Sequence, residues 1–255
     1  MKSITILFMA VLSLSTALHA QTADEILENY FENIGGKEKL KSLQGLKMMA
    51  KVNQGGMEIP VEVYSLADGR QMNLISFQGK EIKQGVFDGE TLWSHNFMTM
   101  QPEKSDAEST SNFKLNANDF PDPFIDYKEK GYTVELLGEE TVEGASTYKI
   151  KLVKEPLTID GKQEEDVSFY YFDKDNFVPI AVESVIKQGP AKGQTSMVTM
   201  SDYQEVEGLY FPFSMTQGVK GQPGQPLVFD SIELNPEVEA EAFEFPETTE
   251  GGKDE

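Results

Sequence analysis

The sequence of 255 residues contains no cysteine, one tryptophan and only two histidines, His19 and His95. The lack of cysteine excludes disulfides, thiolate metal sites and cysteine nucleophiles. Two histidines offer little to a metal centre or a catalytic triad. Because 43 acidic side chains outnumber 22 basic ones, the formal net charge is -21, which opposes binding to nucleic acid. We therefore expect no metal, no cofactor, no nucleic-acid partner and no enzymatic activity.

The first twenty residues have the pattern of a secretory signal peptide. Lys2 precedes an apolar stretch from Ile4 to Leu18, and Ala20 provides a small residue at a cleavage position. The apolar stretch is short for a bilayer span, and acidic residues follow it from Asp24 onward, so a retained anchor is the weaker interpretation. We predict cleavage near Ala20 and a soluble, exported, monomeric protein.

Two helices are predicted at the start of the mature chain. Thr22 and Glu25 form a capping box, and Gly35 supplies a stop signal. Between them, apolar residues recur at helical spacing: Ile26, Leu27, Tyr30, Phe31 and Ile34. A second, short helix is predicted from Lys37 to Leu43.

From Lys47 onward, apolar and polar residues alternate with a period of two, which is typical of strands with one wet face. The pattern predicts about a dozen strands joined by short turns, too many for a flat open sheet. Such a sheet curls into a trough or splits into a sandwich. We predict one mainly β domain over residues 21–247 and a disordered acidic tail over residues 248–255.

Residues 98–122 interrupt this alternation with polar and charged residues. Asp122 and Pro123 predict the cap and first position of a short helix. Two interpretations of the segment remain open, a lid over the sheet or a disordered insertion.

Several short motifs resemble the LolA-like periplasmic lipoprotein carriers. Residues 88–93 read D-G-E-T-L-W, and residues 242–246 read A-F-E-F-P. The segments 34–40, 144–152, 171–180 and 201–213 are similar to runs of the broader outer-membrane lipoprotein-sorting relatives. The order of the motifs carries the resemblance more than any one of them. It implies an α+β fold in which a strongly curled antiparallel sheet forms an unclosed half-barrel, with the N-terminal and loop helices as a lid.

The resemblance also implies a function. Its members carry acyl chains of lipoproteins or lipids in an apolar trough toward the outer membrane, without chemistry on the cargo, and inner- and outer-membrane envelope proteins are further expected partners. An alternative is a protein-docking or stress-sensing module of the envelope on the same fold, without lipid cargo. The arginine that tethers the family's lid corresponds to a place near Leu66, whereas the only arginine here is Arg70, so that role is not transferred.

Alternation along the strands identifies candidates for the lining of the trough, and the opening helix is the candidate lid. A packed core between sheet and helix explains the same pattern, and unfilled volume distinguishes the two interpretations. The candidate lining residues are Ile59, Val61, Val63, Leu74, Trp93, Phe169, Ile180, Val182, Met197, Phe213 and Met215.

Overall fold

The computed structural model describes residues 21–246, so the predicted signal peptide and the predicted tail lie outside the described residues. The helices are α1 (Ala23–Asn33), α2 (Lys37–Lys41) and α3 (Ala107–Ala117), and a single 3-10 turn covers Ala240–Ala242. The strands are β1 (Gly45–Gln54), β2 (Met57–Leu66), β3 (Gln71–Phe77), β4 (Lys80–Phe87), β5 (Leu92–His95), β6 (Pro102–Lys104), β7 (Thr133–Val142), β8 (Ala145–Ile159), β9 (Lys162–Asp173), β10 (Pro179–Val185), β11 (Thr195–Val206), β12 (Leu209–Val219) and β13 (Gln225–Leu234).

Helix α1 begins and ends at the predicted signals. The Glu25 amide donates to Thr22 Oγ1 at 3.2 Å, and the Thr22 amide donates to Glu25 Oε2 at 2.8 Å, which completes the capping box. The chain leaves the helix at Gly35, whose φ is 105°. A Cβ at Gly35 would lie 2.1 Å from the Gly208 carbonyl oxygen, so only glycine fits this turn against the β11–β12 hairpin.

All thirteen strands form one antiparallel sheet in the order β6-β5-β4-β3-β2-β1-β13-β12-β11-β10-β9-β8-β7. The first and last strands pair in its interior, since β1 lies between β2 and β13. Neighbours in the sheet are otherwise neighbours in sequence. The two edges, β6 and β7, do not pair with each other, so the sheet is not closed into a barrel.

Helix α3 shows that the sheet is strongly curled. At one side of α3, the Phe113 ring lies 5.3 Å from the Phe87 ring of β4. Asn112, on the same helix, exchanges two hydrogen bonds with the Thr158 backbone of β8, at 2.7 and 2.9 Å. Strands β4 and β8 hold the third and twelfth places in the sheet order. Because one helix contacts both, the sheet wraps around a concave face, and the predicted half-barrel is confirmed.

The main core occupies one half of that concave face. Helices α1 and α2 and the loop between α3 and β7 pack against strands β1, β8, β9, β12 and β13. The buried apolar residues of this cluster are Ile26, Leu27, Tyr30, Phe31, Ile34, Leu40, Leu43, Leu46, Ala50, Phe124, Ile125, Tyr132, Ile150, Leu152, Phe172, Leu209, Phe213, Phe229 and Ile232.

The segment 98–122 is folded, not disordered, since it contains β6 and α3. The short helix predicted at Asp122 and Pro123 is wrong, because residues 122–131 form a series of turns. Asp122 accepts a hydrogen bond from the Phe124 amide at 2.8 Å, and Asp126 adopts a φ of 50°, which interrupts any helical ladder.

Candidate functional site

The strand register assigns each residue of the curled sheet to its concave or convex face. Residues that pair directly across two strands point to the same side, and successive residues alternate. Ala50 of β1 lies in the concave core and pairs with Val61 of β2, which pairs in turn with Ile75 of β3. The concave face therefore continues across the half of the sheet that α1 does not cover.

An apolar pocket of about 230 Å³ lies on this uncovered half. Strands β1 to β4 form its floor, and Phe97, from the β5–β6 connection, closes one side. All seven lining side chains are apolar: Val52, Ile59, Val61, Ile75, Phe77, Ile82 and Phe97. A cavity of about 150 Å³ holds benzene in another protein, so this pocket has room for a segment of an apolar chain. It is hereafter the apolar pocket.

Exposed apolar side chains stand at the rim of the apolar pocket. Phe97 is 62% exposed, and Met98 beside it is 90% exposed. Met57, 52% exposed, shares the face of Ile59 two residues further along β2. Phe97 and Met57 therefore extend the apolar surface beyond the pocket, and Met98 is the exposed apolar neighbour of Phe97 in the sequence.

Two elements cover other parts of the concave face. The predicted lid residues of α1 are buried in the main core, so α1 fills its half of the trough. Helix α3 bridges the two flanks, and the Glu108 carboxylate accepts hydrogen bonds from the backbone amides of Asp160 and Gly161, each at 2.9 Å. Helix α3 is thereby fastened to the turn between β8 and β9.

Buried charges lie under the loop that connects α3 to β7. Lys154 is largely buried, and its Nζ lies 2.7 Å from Asp119 of this loop and 3.1 Å from Asp166 of β9. Asp122 accepts a hydrogen bond from the Tyr30 hydroxyl at 2.7 Å. Burial raises the pKa of Asp122, and the hydrogen bonds from Tyr30 and Phe124 oppose that rise.

Seven of the eleven predicted lining residues face the concave side. Ile59 and Val61 line the apolar pocket, and Val63 follows them on the same face. Phe213 and Met215 belong to the main core, where α1 packs. Val182 pairs with Tyr170 on this face, and Ile180 lines a separate, polar groove.

The other four predicted lining residues lie on the convex face, so their placement in the trough is corrected. Leu74 pairs with Glu62, whose neighbours Val61 and Val63 face inward. Phe169 and Met197 pack with Tyr171 in a small convex cluster, and Trp93 belongs to another. Alternation tells which residues share a face, but it does not tell which face is concave, and bulges such as that between Gln71 and Asn73 change the phase.

The two clearest motifs of the resemblance meet on the convex face. Trp93 is fully buried, and its Nε1 donates to the Phe243 carbonyl at 2.9 Å. Phe245 lies edge-on to the Trp93 ring at 5.8 Å. The contacts between the motifs at 88–93 and 242–246 therefore attach the segment 242–246 to the convex face of the sheet. This role is structural.

Arg70 contributes to the same attachment. Its guanidinium lies 5.1 Å from the Phe243 ring and pairs with Asp68 at 2.8 Å. Arg70 thus holds the terminal segment and not a lid.

His95 and Ser94 face opposite sides and do not form a catalytic pair. Each instead satisfies a backbone donor where β4 and β5 separate, since the Lys83 amide donates to His95 Nδ1 at 2.8 Å and the Gly85 amide to Ser94 Oγ at 2.9 Å. Within residues 21–246, no three histidine or carboxylate side chains gather as a metal site would require.

Comparison with known proteins identifies the fold. No protein-family description and no curated protein matches the chain. Among solved structures, a LolA superfamily protein from Nitrosomonas europaea aligns over 88% of this chain and 98% of its own, with a TM-score of 0.51 and 15% identity. A DUF1329 family protein from Desulfovibrio piger aligns over 86% and 97%, with a TM-score of 0.51 and 16% identity. A domain described as an outer membrane lipoprotein-sorting protein, from Vibrio parahaemolyticus, aligns over 86% and 94%, with a TM-score of 0.50 and 14% identity.

These alignments show that the chain has the LolA-like fold, as its motifs indicated. No helix within residues 21–246 has the length and apolar character needed to cross a bilayer.

Proposed function

We propose that this protein is a non-enzymatic carrier that binds an acyl chain of a lipid or lipoprotein in the apolar pocket. The observation that carries the proposal is the unfilled space itself, an open pocket of about 230 Å³ lined by seven apolar side chains on the concave face. A packed core would leave no such volume at this place.

The energetics of acyl burial favour this role. Each methylene moved from water into the apolar pocket contributes about 0.8 kcal/mol. A segment held there gains several such contributions without any directional contact, so the pocket accepts chains that differ in structure. The exposed side chains of Met57, Phe97 and Met98 provide further apolar surface for the part of the acyl chain that extends out of the pocket.

Helix α3 is the cover of this carrier. It bridges the two flanks of the half-barrel and is held by polar contacts of Glu108 and Asn112 on one side and by the Phe113 ring on the other. Polar contacts to a surface turn exchange with water at small net cost, so α3 is able to open without disturbing the core. Transfer of the acyl chain then requires only a partner that binds it more tightly.

The proposed carrier works in the periplasm and delivers its cargo toward the outer membrane. The signal-peptide pattern of residues 1–20 supports export, and the LolA-like fold supports the carrier role. The net charge of -21 keeps the protein away from anionic membrane surfaces except where the cargo or a receptor draws it in.

A second candidate function uses the same rim. Met57, Phe97 and Met98 form an apolar surface that a protein of the envelope is able to cover, and this surface supports a protein-docking module without lipid cargo. The two functions differ in whether the interior of the pocket is occupied.

The test is titration with a fluorescent fatty acid, compared between two adjacent substitutions. Ile75→Glu places a carboxylate in the apolar pocket, whereas Leu74→Glu places the same carboxylate on the convex face one residue away. We expect Ile75→Glu to weaken binding about tenfold or more, because a charge in an apolar cavity is strongly disfavoured. Leu74→Glu should bind like the wild type, and circular dichroism confirms that both variants fold. Equal loss in both variants, or no binding by the wild type, contradicts the proposal and leaves the docking function.

A further inference from the structure

A second cavity lies on the concave face, beneath α1 and away from the apolar pocket. Its volume is about 190 Å³, and its wall includes Asp122 and four tyrosines, Tyr30, Tyr170, Tyr203 and Tyr210. We call it the tyrosine chamber. The acyl-carrier proposal makes no use of it, since it shares no lining residue with the apolar pocket.

An acidic groove lies next to the tyrosine chamber. The groove and the chamber share Met200, Tyr203 and Tyr210, so these three side chains border both spaces. The groove has a volume of about 650 Å³, and Asp173 and Asp175 stand in its wall. Carboxylates at an entrance raise the local concentration of cations and exclude anions.

The aromatic rings of the chamber are held in place by neighbouring rings. Tyr170 lies edge-on to Phe124 at 4.7 Å, and Tyr30 lies edge-on to Phe172 at 5.4 Å. The Tyr203 hydroxyl donates to the Pro179 carbonyl at 2.6 Å. The Tyr170 hydroxyl has no hydrogen-bond partner among the described residues. The chamber is therefore preformed, and one of its polar groups is still available to a ligand.

Asp122 gives the chamber its charge. It accepts hydrogen bonds from the Tyr30 hydroxyl and the Phe124 amide, but within residues 21–246 no lysine or arginine lies within ion-pair distance of it. The positive charge of Lys130 lowers the pKa of Asp122, but Lys130 does not line the chamber. Asp122 is half-buried, and a carboxylate with restricted access to water and no ion-pair partner is stabilised by a cation beside it.

We propose that the tyrosine chamber binds a small organic ammonium group, with the Asp122 carboxylate as counter-ion and the rings of Tyr30, Tyr170 and Tyr203 as walls. Tyrosine faces carry negative charge density and attract alkylated ammonium groups by cation–π interaction, most strongly where water is excluded. The volume suits this ligand, because a cavity of about 150 Å³ holds benzene and the chamber is somewhat larger. A bare metal ion would leave most of the space empty, and an anion would meet three carboxylates on its way in.

Calorimetric titration of the purified protein tests the proposal, in an amine-free phosphate buffer at constant ionic strength. The probes are tetramethylammonium and choline, with 3,3-dimethylbutanol as the uncharged isostere of choline. We expect saturable binding of both cations and none of the alcohol. Binding of the alcohol as tightly as choline, or no saturable binding of any cation, overturns the proposal.

Substitutions in the chamber assign the binding to its residues. Asp122→Asn and Tyr170→Leu should each weaken binding on the order of tenfold, because one removes the counter-ion and the other a ring. Tyr170→Phe keeps the ring and should bind nearly as the wild type does. Asp230→Asn removes an equal charge from an exposed position on β13 and is the matched control. If Asp122→Asn does not fold, the comparison of Tyr170→Leu with Tyr170→Phe still tests the proposal. Wild-type affinity in Tyr170→Leu contradicts it.

The ammonium group belongs either to a free small molecule or to a lipid headgroup. Two lysophospholipids, lysophosphatidylcholine and lysophosphatidylglycerol, distinguish these sources. They are titrated into the Val61→Glu variant, because a carboxylate in the apolar pocket should prevent acyl binding there. Competition with choline by the choline lipid alone identifies a headgroup, and competition by neither identifies a free ammonium compound. Both results keep the proposal, whereas competition by the glycerol lipid, which has no ammonium group, contradicts it. Because the cation titrations need no acyl cargo, they stand or fall separately from the carrier function.

Discussion

At the scale of single residues, several side chains that look functional in the sequence stabilise the fold. Trp93, the only tryptophan, joins the convex face to the terminal segment through Phe243. His95 supplies an acceptor where β4 and β5 separate. The motif residues at this place therefore mark an attachment point of the fold.

Trp93→Ala should lower the free energy of unfolding by about 3–5 kcal/mol, the usual cost of removing a fully buried large aromatic side chain. The measurement is urea unfolding followed by circular dichroism, since the variant has no tryptophan for fluorescence. Phe97→Ala, at an exposed position, is the control and should change stability by about 0.5 kcal/mol or less. Similar values for the two variants would contradict the assigned role of Trp93.

His95 should make stability depend on pH. Burial and the nearby Lys83 ammonium lower the pKa of His95, so the folded protein takes up a proton less readily than the unfolded chain. The contribution of His95 to the free energy of unfolding is complete above the ordinary histidine pKa of about 6.5 and is lost as the pH falls below that value. Comparison of urea midpoints at about pH 7.5 and pH 5.5 should show a larger decrease for the wild type than for His95→Gln. An equal decrease in both proteins contradicts this prediction.

At the scale of elements, the signals that define α1 are complete in the sequence, whereas those that define α3 are not. The capping box and the apolar stripe place α1 correctly. In α3, Phe113 and Leu115 are the only large apolar residues, so no stripe indicates a helix. The Asp106 side chain accepts from the Ser109 amide at 2.7 Å as an N-cap, and an acidic cap before Ala107 and Glu108 was the one available signal.

Helix α3 should open locally when its fastening to the β8–β9 turn is removed. Glu108→Ala leaves two backbone amides without their partner, which should cost about 1–2 kcal/mol in local opening free energy. Hydrogen exchange of residues 107–117 should accelerate on the order of tenfold, while α1 remains protected. Ser111→Ala, exposed on the same helix, is the control, and equal exchange in both variants excludes the fastening role.

Helix α2 is attached to the loop before β7 by charge. Asp126 pairs with Lys37 at 2.9 Å and also with Lys41, and these ammonium groups lower the pKa of Asp126 to about 2. A lowered carboxyl pKa gives stability that is present above the unfolded value near 4 and is lost as the pH falls toward the folded value. The stability difference between the wild type and Asp126→Asn should therefore shrink between about pH 6 and pH 3 in thermal unfolding. A difference that is constant over this range contradicts the ion-pair explanation.

At the scale of the whole molecule, the fold class followed from strand number and turn spacing, but the faces of the sheet did not. A dozen alternating segments require curvature, and the ordered motifs indicated which curled fold results. Leu74 and Ile75 illustrate the limit, since both are apolar neighbours and only the pairing with Glu62 and Val61 shows which one faces inward. The tyrosine chamber was beyond prediction, because its walls come from α1, α2, the loop before β7 and strands β9 to β12.

At this scale the concave face has two parts. Helix α1 and the main core fill one half and leave the tyrosine chamber, whereas the other half keeps the apolar pocket on strands β1 to β4. In the proposed function, the filled half stabilises the fold without disulfides and the other half provides the space for cargo.

Native mass spectrometry of the protein isolated from its own envelope tests the carrier account most directly. We expect wild-type protein with a bound acyl-containing molecule, a Leu74→Glu variant with the same adduct and an Ile75→Glu variant without it. Wild-type protein that carries no acyl species, or an adduct that persists in Ile75→Glu, would contradict it.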